Sequence, residues 1–347
     1  MRIWFDADNG PHVLVMKPLA EELTRRGHTV KFTARDRANT CELLDMYGFD
    51  HKKVGGPYGK STIKKVIGTL KRAAQLKKAM KNWKADVSFG HGSRSLPIAS
   101  KLLKVPSITM YDYEWVSPSI FNRFCKKILI PDAITKERAI EAGIDLNKIE
   151  FYPGFKENLY LNDIAEDPQI AEELNLKADK IKVLLRPPAT TAHYHNPEAE
   201  EILNALLKKL LNNPEVQLIW IPRTEDQNEL VKGNHNAKVI IPTRVYSGPQ
   251  LILAMDMIIG GGGTMTREAA ILGVPSISFF RGKRGAVDDK LEALKRLKLI
   301  EKPEQVAEMP IERNRSTQPA MEPGETVQAV VKELLSLKFY EKENVPE

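Results

Sequence analysis

Short apolar runs, each followed by a stretch whose apolar residues recur at helical spacing, succeed one another through most of this 347-residue chain. The first series reads RIWFD, a helix over 13–26, HTVKFTA, a helix over 39–47, a long basic helix, ADVSFG, a helix over 95–103, PSITMY and KILIPD. Runs this short, bounded by turn residues, read as buried strands. Strands separated by helices pair in parallel and need helices on both faces of the sheet. After the acidic, irregular stretch NDIAEDPQIAEELNLKADK the pattern restarts at IKVLL. It continues through VQLIWIP, AKVII, MII and SISFF, with helices over 197–212, 225–232, 248–255 and 265–272. The expected fold class is therefore α/β, with two Rossmann-like domains, 1–158 and 181–322. A linker over 159–180 joins them, and a helix with a polar tail follows over 323–347. At 42% hydrophobic residues the chain has enough apolar content for two cores.

Several function classes are excluded at this level. Two cysteines, Cys41 and Cys125, form no disulfide framework and lack metal-ligand spacing. The opening MRIWFDADNG has no signal-peptide character, and no apolar run reaches the length of a membrane span. The expectation is a cytoplasmic protein, at most peripheral to a membrane. Net charge is +7, and residues 60–84 hold nine Lys or Arg and no acid. Within them Ile63, Val66, Ile67, Leu70 and Ala74 fall on one helical face. That stripe is expected to pack on the sheet, leaving a basic face for solvent or for an anionic membrane surface. Apart from Trp83 the segment lacks interleaved aromatics, so nucleic acid is not expected as a partner.

In open α/β sheets ligands bind beyond the carboxyl ends of the strands. The loops there are rich in glycine and polar residues: DADNGPH, GHGSRS, YDYEWVSP, RPPATTAHYHN, PTRVYSGP, GGGG and RGKRGAVDD. In DMIIGGGGTMTREAAILGVPSISFF four glycines, Gly260 to Gly263, separate a strand from a helix expected to begin near Thr264. Glycine permits positive φ and close approach of backbone amides, and the following helix start offers free N–H groups and a positive dipole end. An anion such as a phosphate suits that loop better than a tight turn alone would require. Neither the P-loop nor the G-x-G-x-x-G fingerprint is present. His193 and His195 in HYH lack a third ligand at sensible spacing, and no structural metal is expected.

Two stretches carry a resemblance to a known superfamily. NGPHVLVMKPLAEELTRRGHTVKFTA and DMIIGGGGTMTREAAILGVPSI resemble the opening and the donor-binding signature of the GT-B superfamily of nucleotide-sugar glycosyltransferases and UDP-N-acetylglucosamine 2-epimerases. ADVSFGHGSRSLPIASKLLKVPSI is similar to the epimerase stretch around HGD. More narrowly, YPGFKENLYL, RPPATTAHYH and GGGGTMTREAA resemble a largely archaeal GT-B-like family without an assigned function. The resemblance implies two facing Rossmann-like domains with a ligand cleft between them. It also implies a nucleotide-diphosphate sugar, with UDP the default, as substrate and no essential cofactor. Glu268, five residues before Gly273, would take the ribose hydroxyls, although a first-turn glutamate also suits a helix dipole. Gly261, Gly262, Gly263 and Thr264 would bind the diphosphate, and Arg186, unless a plain surface arginine, would neutralise it. Arg244 and Tyr246 would touch the base. On the catalytic side it points to His12, with Asp8 and Asp6 beside it, as the source of a base; an ordinary loop histidine is the competing reading of His12.

One departure bears on the reaction. Ser93 stands where the epimerases carry an aspartate, and Tyr111 or Asp112 falls where their glutamate is expected. Transfer of a sugar to an acceptor, one that is lipid-linked if the basic segment meets a membrane, is therefore preferred. Epimerisation or hydrolysis is the alternative, and non-catalytic binding of a nucleotide sugar the second.

Overall fold

In the computed structural model of the protein the described residues are 1–37, 39–56, 62–162, 164–188, 198–232, 239–316 and 324–340. They divide into two compact units, Met1–Asn162 with Pro323–Glu347, and Asp163–Glu322.

The first unit runs β1 (Arg2–Ala7), α1 (Gly10–Arg25), β2 (Thr29–Ala34), α2 (Thr40–Met46), β3 (His51–Lys53), α3 (Thr62–Met80), β4 (Val87–His91) and α4 (Ser95–Leu103). It continues with β5 (Ser107–Met110), α5 (Ser119–Phe124), β6 (Lys127–Pro131), α6 (Lys136–Glu141) and β7 (Ile149–Tyr152). The second unit comprises α7 (Pro168–Glu173), β8 (Ile181–Arg186), α8 (Glu198–Asn212), β9 (Val216–Trp220), β10 (Val239–Ile240) and α9 (Gly248–Leu253). Its remaining elements are β11 (Met257–Gly260), α10 (Gly263–Ile271), β12 (Ser276–Ser278), α11 (Ala286–Ala293) and β13 (Leu297–Leu299). The last helix, α12 (Glu325–Tyr340), belongs to the first unit.

Both sheets are parallel throughout, in the orders β3-β2-β1-β4-β5-β6-β7 and β10-β9-β8-β11-β12-β13. The expected α/β class with two doubly wound domains is thus present. Strand order reverses between β1 and β4 in one sheet and between β8 and β11 in the other. These are the switch points beyond which an open sheet leaves a crevice.

Alternation along β1 sets the two layers of the first unit. Ile3, Phe5 and Ala7 face α1 and α12, where Met16, Leu19, Val330, Val331 and Leu334 complete one core. The hydroxyl of Thr326 donates to the Pro153 carbonyl at 3.0 Å, and Lys127 bridges Glu150 and Glu333, which ties α12 to the edge of the sheet. Trp4 and Asp6 point to the opposite face, which α3 and α4 cover with Ala73, Leu76, Met80, Leu96 and Ala99.

The rotation of α3 differs from the sequence expectation. Its buried side is Gly68, Arg72, Ala73, Leu76 and Met80, whereas Ile63, Val66, Ile67 and Leu70 are 72%, 56%, 60% and 55% exposed. The stripe that periodicity assigns to the core looks outward, with the fully buried Arg72 on the opposite side of the helix.

In the second unit β8, β9 and β11 are buried on both faces. Val183, Leu185, Leu218 and Ile259 pack with α8, while Leu184, Ile219 and Ile258 pack with α9 and α10.

Candidate functional site

In the first unit the switch point gathers polar groups from four chain segments. β1 pairs with β4 so that Asp6 lies opposite Gly90, and the chain then passes Asp8 to the Asn9 cap of α1, whose side chain accepts from the Gly10 amide. The first turn of α1 carries His12, and its ring lies 4.8 Å, centroid to centroid, from that of His91 at the end of β4. Nε2 of His91 is 3.6 Å from Oδ1 of Asp112, which follows β5. The other oxygen of Asp112 meets Nζ of Lys156 at 2.8 Å, and Lys156 also pairs with Glu157 at 3.2 Å. A cavity of about 200 Å³ opens here, lined by His12, His91, Arg94, Tyr111, Asp112, Tyr113 and Phe121.

Electrostatics separates the three residues proposed as sources of a base. Asp6 is sealed: Nη1 and Nη2 of Arg72 reach its two oxygens at 2.7 and 2.8 Å, and the hydroxyls of Thr33 and Ser93 each donate to it at 2.7 Å. Burial pushes its carboxyl up, but Arg72 and the two hydroxyls outweigh burial and hold it below the usual value. Asp8 is 19% exposed, 2.8 Å from Nε of Arg35 and 3.3 Å from Nη1 of Arg72. Burial raises its carboxyl, Arg72 opposes, and the charge of Asp6 adds to the rise, so the net shift is upward. Burial holds His12 well below 6.5, helped by His91 and Lys156. His91 is taken down to about 4 by burial against the opposing pull of Asp112. Both imidazoles are neutral at neutral pH. The Asp8 amide donates to Nδ1 of His12 at 3.4 Å, which leaves the ring proton on Nε2.

In the second unit Gly260 pairs with Arg186, and the Gly261 amide donates to the Arg186 carbonyl at 3.0 Å. The helix beyond starts at Gly263, and its N-cap Gly262 supplies no side-chain cap, so the first-turn amides keep their capacity to meet an anion. None of the four glycines has positive φ. Close approach is what requires them: a Cβ on Gly261 would fall 2.7 Å from the backbone nitrogen of Pro188, and one on Gly262 would meet the guanidinium of Arg223. Arg223 stands just beyond β9, its Nε donating to the Pro187 carbonyl at 2.8 Å. Arg186 is half-buried, and its Nε has no hydrogen-bond partner among the described residues. Burial and then Arg223 lower its pKa, with Glu268 opposing, though a guanidinium stays charged at any physiological pH. Glu268 is buried one turn inside α10, with an oxygen beside Gly248 at the start of α9. Thr264 is exposed on the first turn.

Arg244 and Tyr246 form a separate group. The guanidinium lies 4.3 Å from the tyrosine ring, and both bind Glu173 of α7, at 2.5 and 2.9 Å. His193 and His195 lie outside the described residues. Among the described residues no cluster of three or more His, Cys, Asp or Glu side chains is placed to hold a metal ion.

Sequence reasoning left Arg223, His91, Lys156 and Glu157 without a role. The available signal was position: each follows or ends a strand at the carboxyl edge, or, for Lys156 and Glu157, interrupts an otherwise aromatic and apolar stretch.

The buried Asp6–Arg72 pair is directly testable. Asp6→Ala strands a buried guanidinium and should lower stability by about 3–5 kcal/mol, whereas Asp6→Leu combined with Arg72→Met should recover most of that loss. Chemical denaturation followed by circular dichroism measures both. Because the folded-state pKa of Asp6 is depressed, its contribution is complete above the unfolded value of about 3.9 and is lost as pH falls through the folded value.

The chain is 27% identical over 296 residues to an uncharacterized protein of Methanocaldococcus jannaschii, covering 83% of this chain and 84% of that one. It is 24% identical over 216 residues to a UDP-N-acetylglucosamine–N-acetylmuramyl-(pentapeptide) pyrophosphoryl-undecaprenol N-acetylglucosamine transferase of Desulforamulus reducens, covering 57% of this chain and 54% of the transferase. Among solved structures it is similar to the UDP-GlcNAc 2-epimerase from Neisseria meningitidis bound to UDP-GlcNAc, with a TM-score of 0.76 at 14% identity, covering 97% of this chain and all of the epimerase. The fold is that of the GT-B proteins, and with a family model matching residues 1–309, the chain belongs to the family described as "Protein of unknown function (DUF354)".

Proposed function

We propose that the protein is a glycosyltransferase that takes a sugar from a nucleotide-diphosphate sugar, with UDP as the nucleotide, and passes it to a lipid-linked acceptor. The observation that carries the reading is the uncapped start of α10 behind a glycine loop, with Arg186 and Arg223 beside it and Glu268 one turn inside. First-turn amides and two guanidiniums suit a diphosphate, and they would stabilise the charge that develops on it as the sugar leaves. Glu268 would accept from the vicinal ribose hydroxyls, and Arg244 with Tyr246 would stack on or bond to the base. The N-acetylglucosamine transfer that names the relative from Desulforamulus reducens supports this reading.

In the first unit we assign the base to Asp8. Its carboxyl is shifted upward, toward the pH at which it would work, while His12 is shifted away from it. His12, with its proton on Nε2, would instead donate to an oxygen of the reacting groups. Asp6 would hold Arg72 and leave the chemistry to its neighbours.

A second reading, 2-epimerisation of a UDP-sugar, is favoured by one specific observation. Asp112 supplies a carboxylate to the cavity beside His91, near the place where the epimerases carry a glutamate. Against it, Ser93 occupies the position of the epimerase aspartate and is engaged by Asp6.

Three measurements test these assignments. Glu268→Ala should weaken UDP binding by about 1.5–3 kcal/mol in isothermal calorimetry, the range for truncating a charged hydrogen-bond partner; unchanged affinity in a folded variant would move the donor site elsewhere. Purified protein given UDP-N-acetylglucosamine alone should form no 2-epimer by NMR, and rapid epimer formation would replace transfer by the second reading. With donor and acceptor present, Asp8→Asn should lower kcat by about 10²–10⁴-fold while leaving the KM for the nucleotide sugar nearly unchanged. A normal kcat in that variant would remove Asp8 as the base.

A further inference from the structure

We propose that the outward face of α3 docks the protein on an anionic phospholipid surface, with its first half inserted among the lipids and its second half bound to their phosphates. Four of the large apolar side chains most open to solvent, Ile63, Val66, Ile67 and Leu70, stand together on this helix. They share one face because they recur at three- and four-residue intervals, and no described element covers them. An apolar stripe of this kind marks an interaction surface rather than ordinary surface scatter.

Charge selects the partner. The same face continues through Lys77 and Lys78 to Lys81 just past the helix end, all exposed, and α3 contains no acid. Lys71 flanks the stripe. Beside the second half lies an open groove of about 600 Å³ lined by Lys31, Lys52, Lys53, Lys78, Asn82 and Trp83. Two of its lysines meet acids: Asp50 lies 4.0 Å from Lys31, and Asp36 pairs with Lys53 at 3.2 Å. Lys52 donates to the Ala79 carbonyl at 2.9 Å, and Lys78 has no acidic partner among the described residues. A half-buried tryptophan at the rim of a lysine-lined groove is the side chain that settles at the level of lipid headgroups. An apolar half followed by a cationic half matches a bilayer of acyl chains beneath anionic phosphates, whereas a second copy would offer no anion to the lysines.

The inference extends the lipid-linked acceptor of the proposed function but does not depend on it, because docking is read without any nucleotide sugar. Flotation with vesicles of phosphatidylcholine and phosphatidylglycerol at 7:3, against phosphatidylcholine alone, tests it at low salt and again near 1 M. The protein should float with the anionic vesicles and stay behind with the neutral ones, and raised salt should release it as screening shortens to about 3 Å. Ile63→Gln with Ile67→Gln should lower the bound fraction by at least about tenfold, as should glutamine at Lys71, Lys77, Lys78 and Lys81 together. Ile140→Gln, an exposed apolar site on α6, should bind as the unaltered protein does. Circular dichroism and thermal unfolding of each variant confirm its fold, since every substituted side chain is solvent-exposed. The inference is overturned if the unaltered protein ignores anionic vesicles at low salt, or if the isoleucine variant binds them equally well. It is also overturned if sedimentation velocity shows a dimer that the isoleucine variant abolishes, because the stripe would then belong to a second copy.

Discussion

A buried guanidinium bound to a buried carboxylate organises the first unit. Arg72 and Asp6 are both inaccessible to solvent, and neither charge could remain there alone without a cost of several kcal/mol. The geometry leaves little unsatisfied. Two parallel bonds join the pair, Nε of Arg72 donates to the Val54 carbonyl at 3.0 Å, and Thr33 and Ser93 complete the carboxylate. Thr33 is in turn held by the indole N–H of Trp4 at 2.8 Å. One ion pair thereby fastens β1, β2, α3 and the loop after β4 to one another. Its value lies less in net stability than in register, because only one rotation of α3 brings residue 72 over β1.

That rotation acts on both the switch point and the solvent face of α3. It places a guanidinium 3.3 Å from Asp8, so the electrostatics of the proposed base is coupled to the helix packing. It also decides which side of α3 meets solvent. The helix has two faces with apolar content, and the one with the more continuous stripe, Ile63, Val66, Ile67 and Leu70, is left outside, while Gly68, Ala73, Leu76 and Met80 go inside.

Much of the fold is legible in the residues because strands buried on both faces of a parallel sheet are continuous apolar runs, as in VSFG, VQLIW and MIIG. β3 is hidden for the opposite reason. His51–Lys53 is an edge strand of polar residues, paired on one side with β2, and nothing in its pattern distinguishes it from a loop. The side of α3 that faces inward is also hidden, since amphipathicity reports that a stripe exists and not which neighbour takes it. The glycine loop with Glu268 is legible because its parts are contiguous in sequence. Arg223, His91 and Lys156 are not, because each is an isolated polar residue whose place appears only when strand order brings distant loops together at the switch point of its own unit.

At the proposed donor site the glycine loop would meet an anion without a P-loop lysine. Four glycines with ordinary extended or helical backbone have no need of left-handed freedom; what they provide is the removal of Cβ atoms where Pro188 and Arg223 press in. Those contacts bring two arginines to an uncapped helix start, with the half-buried Arg186 leaving its Nε without a hydrogen-bond partner among the described residues. Two neighbouring guanidiniums repel each other, and the nearby Glu268 offsets only part of that repulsion. A diphosphate would relieve the rest, so the same arrangement that is unfavourable when empty becomes favourable when an anion arrives. Widening Gly261 to alanine would push Pro188 away and separate the arginines from the amides, which is why the backbone must be bare there even though its torsions are ordinary.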